Sequence, residues 1–333
     1  MKFLRVVAVV VLIAAGFFVW REYSQFADAP LALPAPTTID VPMGTQLPGI
    51  LRELEHQGVR TGQQLYWRLL ARQMGVAGKL HAGEYALDAG ITPRALLAKM
   101  AAGEVIQHHF TIVEGWTFAQ LRDALAHDSG LKQTLAASND AAIMRTLGAA
   151  DTPPEGQFLP ETYNYVKGMD DIDILRRAHK AMVDALDKQW NSRAADLPLK
   201  SAHEALILAS IVEKETARVD ERPLIAGVFL HRLKIGMRLQ TDPTVIYGLG
   251  PAFDGNLRRG DLDTDTPFNT YTRDGLPPTP IALPGAAALS AVLHPAATDA
   301  LYFVARGDGS HEFSPTLEAH NRAVAKYQLH HNR

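Results

Sequence analysis

The chain of 333 residues contains no cysteine. This absence excludes disulfide bonds, a thiol nucleophile, a lipidated cysteine and a zinc–thiolate site. A chain of this length can bury a large core without disulfides, so the absence says little about its compartment. The apolar fraction of 47% and the charged fraction of 21% are ordinary for a globular protein. The length predicts two folded domains.

Several motifs of common catalytic and binding sites are also missing. The sequence has no G-x-S-x-G nucleophile elbow and no Walker phosphate loop. The histidines show no H-E-x-x-H spacing, since the next histidine after His311 is His320. We therefore expect no metal site and no other cofactor.

Positive charge is scarce beyond the N-terminal segment. Removing Lys2, Arg5 and Arg21 from the 33 basic residues leaves 30, against 36 acidic residues, a formal charge of −6. Nucleic acid is therefore not expected as a partner, because its binding depends on basic surfaces.

A long apolar run without a charge begins the chain. It extends from Val6 to Trp20, and counted from Phe3 it is just long enough to span a bilayer as a helix. A cleaved signal peptide is the main alternative, because residues 27–29 resemble a small-residue cleavage site. Pro30 after that site and Trp20 as an interfacial anchor favour an uncleaved helix at residues 1–22. Basic residues before the run predict a cytoplasmic N-terminus.

Composition and periodicity divide the rest of the chain. Residues 23–38 are predicted to be a linker, because 29–38 are rich in proline and alanine. Residues 39–108 form a small α+β module, with strands at 39–41 and 83–87, helices at 46–57 and 62–74, and a further helix capped by Thr92. Its pattern resembles peptidoglycan-binding LysM-like modules. The alternative is a domain that only spaces or orients the next one.

Residues 109–333 are predicted to form a larger mixed α+β domain. An alternating strand at 105–113 leads into it, and 151–156 is a loop. Helices are expected at 116–126, 131–147, 173–190 and 202–217.

The last of these helices carries two candidate catalytic acids. Successive residues turn by about 100°, so Glu213 shares a stripe with Leu206, while Glu215 lies almost opposite beside Ile211. Apolar residues occupy nearly the whole circumference, and periodicity therefore cannot choose between the two carboxylates. Both could instead be structural acids in ion pairs with Lys214, Arg218 or Arg222.

Three polar segments have the chemistry of sites for hydroxyl-rich ligands. They are residues 155–163, 240–243 and 269–278, which combine carboxylate, amide, hydroxyl and phenol groups on predicted loops. The alternative for the first is a surface turn that ends in a strand.

Sequence segments in a fixed order connect the chain to a known family. They are residues 114–117, 155–163, 208–216, 236–250, 269–278, 283–285, 294–296 and the region of 320–321. With these segments, which cover most of the chain after the linker, the sequence resembles the endolytic murein transglycosylases of the YceG-like family. The resemblance implies an anchor in the inner membrane, a LysM-like module and a periplasmic catalytic domain.

The resemblance also implies an activity on peptidoglycan glycan strands. The bond between N-acetylmuramic acid (MurNAc) and N-acetylglucosamine (GlcNAc) would be cleaved within the strand, leaving 1,6-anhydro-MurNAc ends. Such a lyase needs one carboxyl group, which the resemblance assigns to Glu213. A carboxyl on an apolar helix has its charged form disfavoured, so it can act first as acid and then as base.

The same resemblance implies a saccharide cleft. Its lining would comprise Gln157, Glu161, Tyr163, Gln240, Thr241, Asp242, Tyr247, Asn269 and Tyr271. Tyr163 and Tyr247 would serve as stacking platforms. Phe268 stands where the family often has tyrosine, which removes a hydroxyl. The resemblance also suggests peptidoglycan synthases as partners, with the enzyme ending nascent strands.

Two other functions fit the same residues. A two-carboxylate muramidase would use Glu213 with Glu161 or Asp242 and a water molecule. A non-catalytic membrane-anchored scaffold would bind glycan and partner proteins without cleaving the strand.

Overall fold

The computed structural model describes residues 2–33 and 35–329. Of the predicted segments, only residue 1 of the anchor, residue 34 of the linker and residues 330–333 of the second domain lie outside this description. The chain forms two compact units. The first comprises residues up to His108 together with Asn164–Met169, and the second comprises His109–Tyr163 and the chain from Asp170 onwards.

Helix α1, Lys2–Asp28, begins the described chain. Its stretch Arg5–Asp28 has a mean hydropathy of 1.9 and is long enough to cross a membrane, and the protein does not bury its apolar part. Large apolar side chains such as Phe3, Leu12 and Phe17 are exposed along it. Such a helix fits a membrane anchor.

The end of α1 packs into the core of the first unit. Ala27 is fully buried, and the rings of Phe26 and Trp67 lie 5.5 Å apart edge to face. Farther along, Leu31 is buried and its N–H donates to the carbonyl oxygen of Ile91 at 2.8 Å. This part of the predicted linker therefore belongs to a core, because Ala27 and Leu31 bury apolar surface in it.

The first unit is built around an antiparallel pair of strands. Its elements are β1 Thr37–Val41, α2 Leu47–His56, α3 Gln64–Gln73, β2 Gly83–Leu87 and α4 Pro93–Ala102. The Thr92 hydroxyl accepts from the Ala95 N–H at 3.1 Å, and α4 ends at Gly103 with a left-handed φ of 69°. The α+β prediction is confirmed, whereas the likeness to a LysM module stays a prediction.

The second unit is mainly helical. Its elements, of which β3 and β4 also have residues in the first unit, are β3 His108–Thr111, α5 Phe118–His127, α6 Asp140–Thr146, β4 Thr162–Tyr165, α7 Asp171–Asn191, α8 Ala202–Glu215, α9 Arg222–Lys234, α10 Asp242–Leu249, α11 Arg259–Asp263, α12 Ala286–Leu293, β5 Tyr302–Ala305, β6 His311–Ser314 and α13 Leu317–Val324. A 3₁₀ turn at Gly250–Ala252 and a π-helical turn at Ala325–Leu329 complete it. Strands β5 and β6 form an antiparallel hairpin.

Helix α8 is at the centre of this unit. Every residue from Ala205 to Glu213 is buried, and α7, α9, α10 and α12 pack around the helix. This enclosure explains why apolar residues occupy its whole circumference. The helix predicted at 202–217 is therefore present and ends two residues earlier, at Glu215.

The segment 131–147 differs from its predicted single helix. Only α6 forms, and the side chain of Asn139 caps it by accepting from the Ala142 N–H at 2.9 Å. Residues before it bend instead, because the Asp171 carboxylate accepts from the backbone N–H groups of Thr134 and Leu135 at 3.0 and 3.1 Å. A side chain distant in sequence thus replaces the helical hydrogen bonds.

Replacing Ala27 by aspartate should destabilise the first unit. The substitution places an unpaired carboxylate at a fully buried site, and we expect a loss of about 2 kcal/mol or more in the free energy of unfolding. Urea unfolding of the full-length protein in detergent measures the change. Gln25→Asp is the matched control, because Gln25 lies exposed on the same helix. Equal stabilities of the two variants would contradict the packing described for α1.

Candidate active site

The two acids at the end of α8 face different surroundings. Glu213 and Glu215 are two residues apart, which turns their side chains about 200° from each other on a helix. Thr216 ends the helix in an extended conformation. One acid therefore points into the protein, and the other points towards a cavity.

Glu213 belongs to a buried ionic cluster. Its Oε1 accepts from Arg222 Nη2 at 2.6 Å and its Oε2 accepts from the Gly285 N–H at 2.9 Å, with the side chain 3% exposed. Glu114 contacts the same arginine nitrogen at 3.2 Å. Burial raises the pKa of Glu213, while the Gly285 N–H and Arg222 oppose that shift. Both oxygens of Glu213 are thus held by the protein itself.

A glycine lies close beside this cluster. A Cβ atom added at Gly285 would lie 2.0 Å from Glu114 Oε1, closer than non-bonded atoms can approach. A side chain at residue 285 would therefore displace the side chain of Glu114, which is partly exposed, from its present position beside Arg222. Gly285 belongs to the Leu283-Pro284-Gly285 segment, one of those that resemble the family, and its N–H holds Glu213.

Glu215 lines a cavity of about 350 Å³. The other residues of the lining are Arg232, Gln240, Asp242, Tyr271, Tyr302, Phe303, Leu317 and His320. The hydroxyl of Thr241 donates to Glu215 Oε1. Burial raises the pKa of Glu215 to about 7; the Thr241 hydrogen bond, His311 and Arg232 act in the opposite direction, whereas Asp242 raises it further. At neutral pH this carboxyl is therefore partly protonated.

An unusual backbone conformation presents Gln240 to the cavity. Its φ is 47°, in the left-handed region that residues other than glycine seldom adopt. The Gln240 N–H donates to the Thr270 carbonyl oxygen and the Thr241 N–H to the Thr270 hydroxyl, each at 3.1 Å. Those bonds stabilise the strained residue, and strain of this kind is common at functional sites.

Asp242 and Tyr271 form a pair on the cavity wall. The Tyr271 hydroxyl donates to Asp242 Oδ1 at 2.6 Å. Burial and this carboxylate raise the pKa of Tyr271. Asp242 is the first residue of α10 and Thr241 its N-cap, whereas the sequence placed both on a loop. Pro243 in the first turn favours this helix start.

Asn269 supports the cavity without lining it. The fully buried side chain donates from Nδ2 to the carbonyl oxygens of Leu262 and Thr264 at 2.9 and 2.7 Å. Its Oδ1 accepts from the Tyr271 N–H at 2.8 Å. Asn269 therefore shapes the loop that carries Tyr271. The sequence predicted Asn269 in the cleft lining, whereas its side chain lies within this loop and outside the lining of the cavity.

Tyr247 is held away from the cavity as well. Its hydroxyl donates to Glu155 Oε2 at 3.0 Å, and its ring packs edge to face on Phe268 at 4.9 Å. The other oxygen of Glu155 accepts from the Phe118 N–H at 2.9 Å, and burial raises the pKa of Glu155 to about 7. Tyr247 thus links α10 to the start of α5. Its contact with Phe268 is between the two rings, so the hydroxyl that a tyrosine would carry at position 268 is not needed for this contact.

The three predicted cleft residues of segment 155–163 do not line the cavity. Tyr163 is buried and its hydroxyl donates to the Leu159 carbonyl oxygen at 2.8 Å. Gln157 is buried, and Glu161 is exposed just before β4 begins at Thr162. This segment is closer to the alternative of a turn that ends in a strand.

Sequence reasoning missed one side of the cavity. Arg232 comes from α9, Tyr302 and Phe303 from β5, and Leu317 and His320 from α13. Of these five residues, only His320 lies in a region that resembles the family, and this was the one sequence signal for this side of the cavity. Within the described ranges 2–33 and 35–329, no cluster of three or more histidine, aspartate or glutamate side chains could hold a metal ion.

Fold and site together define an α+β protein whose cavity combines two carboxyl groups, those of Glu215 and Asp242, with polar and aromatic side chains. The chain belongs to the YceG-like family, whose model matches residues 39–326. The family resemblance seen in the sequence is thereby confirmed.

Named relatives span almost the whole chain. The endolytic murein transglycosylase of Bacillus subtilis (strain 168) is 32% identical over 337 residues, covering 95% of this chain and 91% of that protein. The endolytic murein transglycosylase of Streptococcus pneumoniae serotype 2 (strain D39) is 28% identical over 356 residues, covering 95% of this chain and 63% of that protein.

A solved structure is similar as well. The 2.6 Å crystal structure of a yceG-like protein from Listeria monocytogenes superposes with a TM-score of 0.52 at 31% identity. The match covers 86% of this chain and 98% of that one.

Replacing Arg222 by methionine should destabilise the second unit. The substitution leaves Glu213 as a buried carboxylate without its partner, a change that costs about 3–5 kcal/mol of unfolding free energy. Denaturant unfolding measures this loss. Arg218→Met is the control, because its ion pair with Asp220 is exposed and should contribute little. Equal unfolding midpoints for the two variants would exclude a stabilising role of the buried pair.

Proposed function

We propose that this chain is an endolytic murein transglycosylase that cleaves the MurNAc-β-1,4-GlcNAc bond within peptidoglycan glycan strands. Membership of the YceG-like family and the activity named for both relatives support this function. The observation that carries it to the site is the cavity lined by Glu215, a carboxyl with a pKa raised to about 7.

Glu215, rather than the Glu213 expected from the sequence, is the acid that the geometry favours. Glu213 has both oxygens engaged by Arg222 and Gly285 and no place in the cavity lining. Glu215 shares its cavity with the side chains of Gln240, Asp242 and Tyr271, which can bind sugar hydroxyl and acetamido groups.

A single carboxyl is sufficient for the lyase reaction. Protonated Glu215 donates its proton to the glycosidic oxygen as the bond from the muramyl C1 to that oxygen breaks, which leaves positive charge on the muramyl ring. The carboxylate of Glu215 then accepts the proton of the C6 hydroxyl, whose oxygen bonds to C1. The products are a free GlcNAc 4-hydroxyl and a 1,6-anhydro ring. No water is consumed, and Glu215 regains its proton.

A hydrolytic muramidase with Glu215 and Asp242 is the second candidate, because both carboxylates line the cavity. Asp242 already accepts from the Tyr271 hydroxyl at 2.6 Å, which supports a binding role for it instead. Mass spectrometry of the released muropeptides separates the two reactions. Reducing ends without anhydro-muramyl products would favour the hydrolase.

The apolar α1 supports a single-pass anchor in the inner membrane. In this proposal the N-terminus is cytoplasmic, because basic residues precede the span, and both folded units are periplasmic. The first unit would bind peptidoglycan as a LysM-like module. Cleavage beside the glycan-polymerising synthases would end nascent strands.

Replacing Glu215 by glutamine should abolish cleavage. The amide keeps the shape of the side chain but cannot donate or accept the proton, so we expect a rate loss of about 10²-fold or more. Glu213→Gln is the matched comparison on the same helix and should keep measurable turnover, with lower stability from the altered pair with Arg222. The assay is release of anhydro-muropeptides by the full-length protein from uncrosslinked glycan strands.

The opposite result would restore Glu213 as the catalytic acid. It requires that Glu213→Gln is folded but inactive while Glu215→Gln keeps activity. Thermal unfolding of each variant shows whether a loss of activity reflects the chemistry or the fold. If both variants are folded and fully active, this cavity is not the site of cleavage.

The pH dependence should follow Glu215. The acid step needs the protonated form, so kcat/KM should fall as the pH rises through about 7. Thr241→Val removes a hydrogen bond that lowers the pKa of Glu215, and the descending limb should therefore move to higher pH. Initial rates measured from about pH 5 to about pH 9, roughly two pH units on either side of neutral, give the position of the descending limb in each protein. A limb that stays in place, or that moves to lower pH, would contradict the assignment.

A further inference from the structure

The cavity has an aromatic and apolar side that takes no part in the proposed reaction. Tyr302, Phe303, Leu317 and His320 belong to its lining, and we call these four residues the aromatic wall. They come from β5 and α13, far along the chain from α8. The other part of the lining contains Glu215, Gln240, Asp242 and Tyr271, and is polar.

Neighbouring groups fix the orientation of the aromatic wall. The His320 ring stacks on the Tyr302 ring at 5.2 Å with an angle of 24° between their planes. The Arg232 guanidinium lies 5.4 Å from the centre of the same Tyr302 ring. Arg232 is itself held by hydrogen bonds to the carbonyl oxygens of Leu239 and Leu301. The ring positions are therefore set before a ligand arrives, which reduces the entropy cost of binding.

His320 has hydrogen-bonding capacity that the fold does not use. Its Nδ1 is buried and has no hydrogen-bond partner among the described residues. Burial and the nearby Arg232 lower the pKa of His320, so the ring is neutral at pH 7 and offers one donor and one acceptor. A buried polar atom without a partner costs free energy, and native proteins contain few of them.

Leu317 is an exposed apolar side chain at the same cavity. It is the first residue of α13 and is 55% exposed, and it shares the cavity lining with the partly buried Phe303. Pyranose rings present faces of C–H groups bordered by hydroxyl and acetamido groups. They need an apolar surface together with adjacent donors and acceptors.

We propose that the aromatic wall is a sugar-binding subsite that holds one pyranose ring of the glycan strand next to Glu215. Leu317 and Phe303 cover a C–H face of the ring, and His320, oriented by Tyr302, hydrogen-bonds to one of its polar substituents. The inference rests on the proposed function and adds to it the residues that position the substrate.

The test measures glycan binding without cleavage. Full-length Glu215→Gln protein in detergent is titrated with uncrosslinked peptidoglycan glycan strands, and the affinity is compared after adding Leu317→Ser or His320→Phe. His320→Phe keeps a ring that can stack on Tyr302 but loses both nitrogens. We expect each second change to weaken binding about 5- to 10-fold, the effect of one hydrogen bond or a small apolar contact.

Two control variants separate the subsite from general surface effects. Val183→Ser replaces an exposed apolar residue of α7, 41% exposed and outside the cavity lining, and should leave the affinity unchanged. His320→Gln keeps a donor and an acceptor and should retain more affinity than His320→Phe. In otherwise wild-type protein, Leu317→Ser and His320→Phe should raise KM by the same factors while kcat changes less.

The outcomes distinguish this inference from the proposed function. If the Glu215→Gln protein binds glycan with the same affinity whether or not Leu317 and His320 are changed, the subsite is overturned. The catalytic assignment then stands unchanged. A wild-type protein that neither binds nor cleaves glycan would overturn both. Loss of kcat alone in His320→Phe, with unchanged affinity, would also contradict a binding role.

Discussion

The ion pair between Glu213 and Arg222 holds the end of α8 in place, and the site depends on it. With the Gly285 N–H it occupies both oxygens of Glu213. Because the pair is nearly sealed from solvent, loss of Arg222 would leave Glu213 as a buried carboxylate without its cationic partner. Fixing Glu213 on one side of the helix turns Glu215 towards the cavity on the other side. The two acids of the motif thus have different places: Glu213 is held in the ionic cluster, and Glu215 faces the cavity.

The polar part of the cavity is assembled by residues that do not all reach it. Asn269 is fully buried and satisfies three backbone groups of its own loop, so that Tyr271 meets Asp242. Thr241 is buried and donates to Glu215, which counters part of the pKa increase caused by burial. Support of this kind positions reactive groups and limits their motion.

The sequence anticipated the elements better than the contacts between them. Strand β2 and the capped α4 follow from alternation, from Thr92 and from Gly103, which are local signals. The helix expected at 131–147 failed, because Asp171 captures backbone N–H groups from a distant position. Tyr163 and Tyr247 resemble stacking residues in sequence, yet their hydroxyls bond to Leu159 and Glu155 within the protein.

By itself, the sequence determined the apolar first helix, the α+β class, the buried α8 with its two acids and the membership of a family, because each depends on local pattern or on a long series of matching segments. Only the tertiary structure decided which acid faces the cavity, since helix periodicity is equal for both. It also brought Arg232, Tyr302 and His320 beside Glu215. Those residues come from three elements separated along the chain, and only packing places them together.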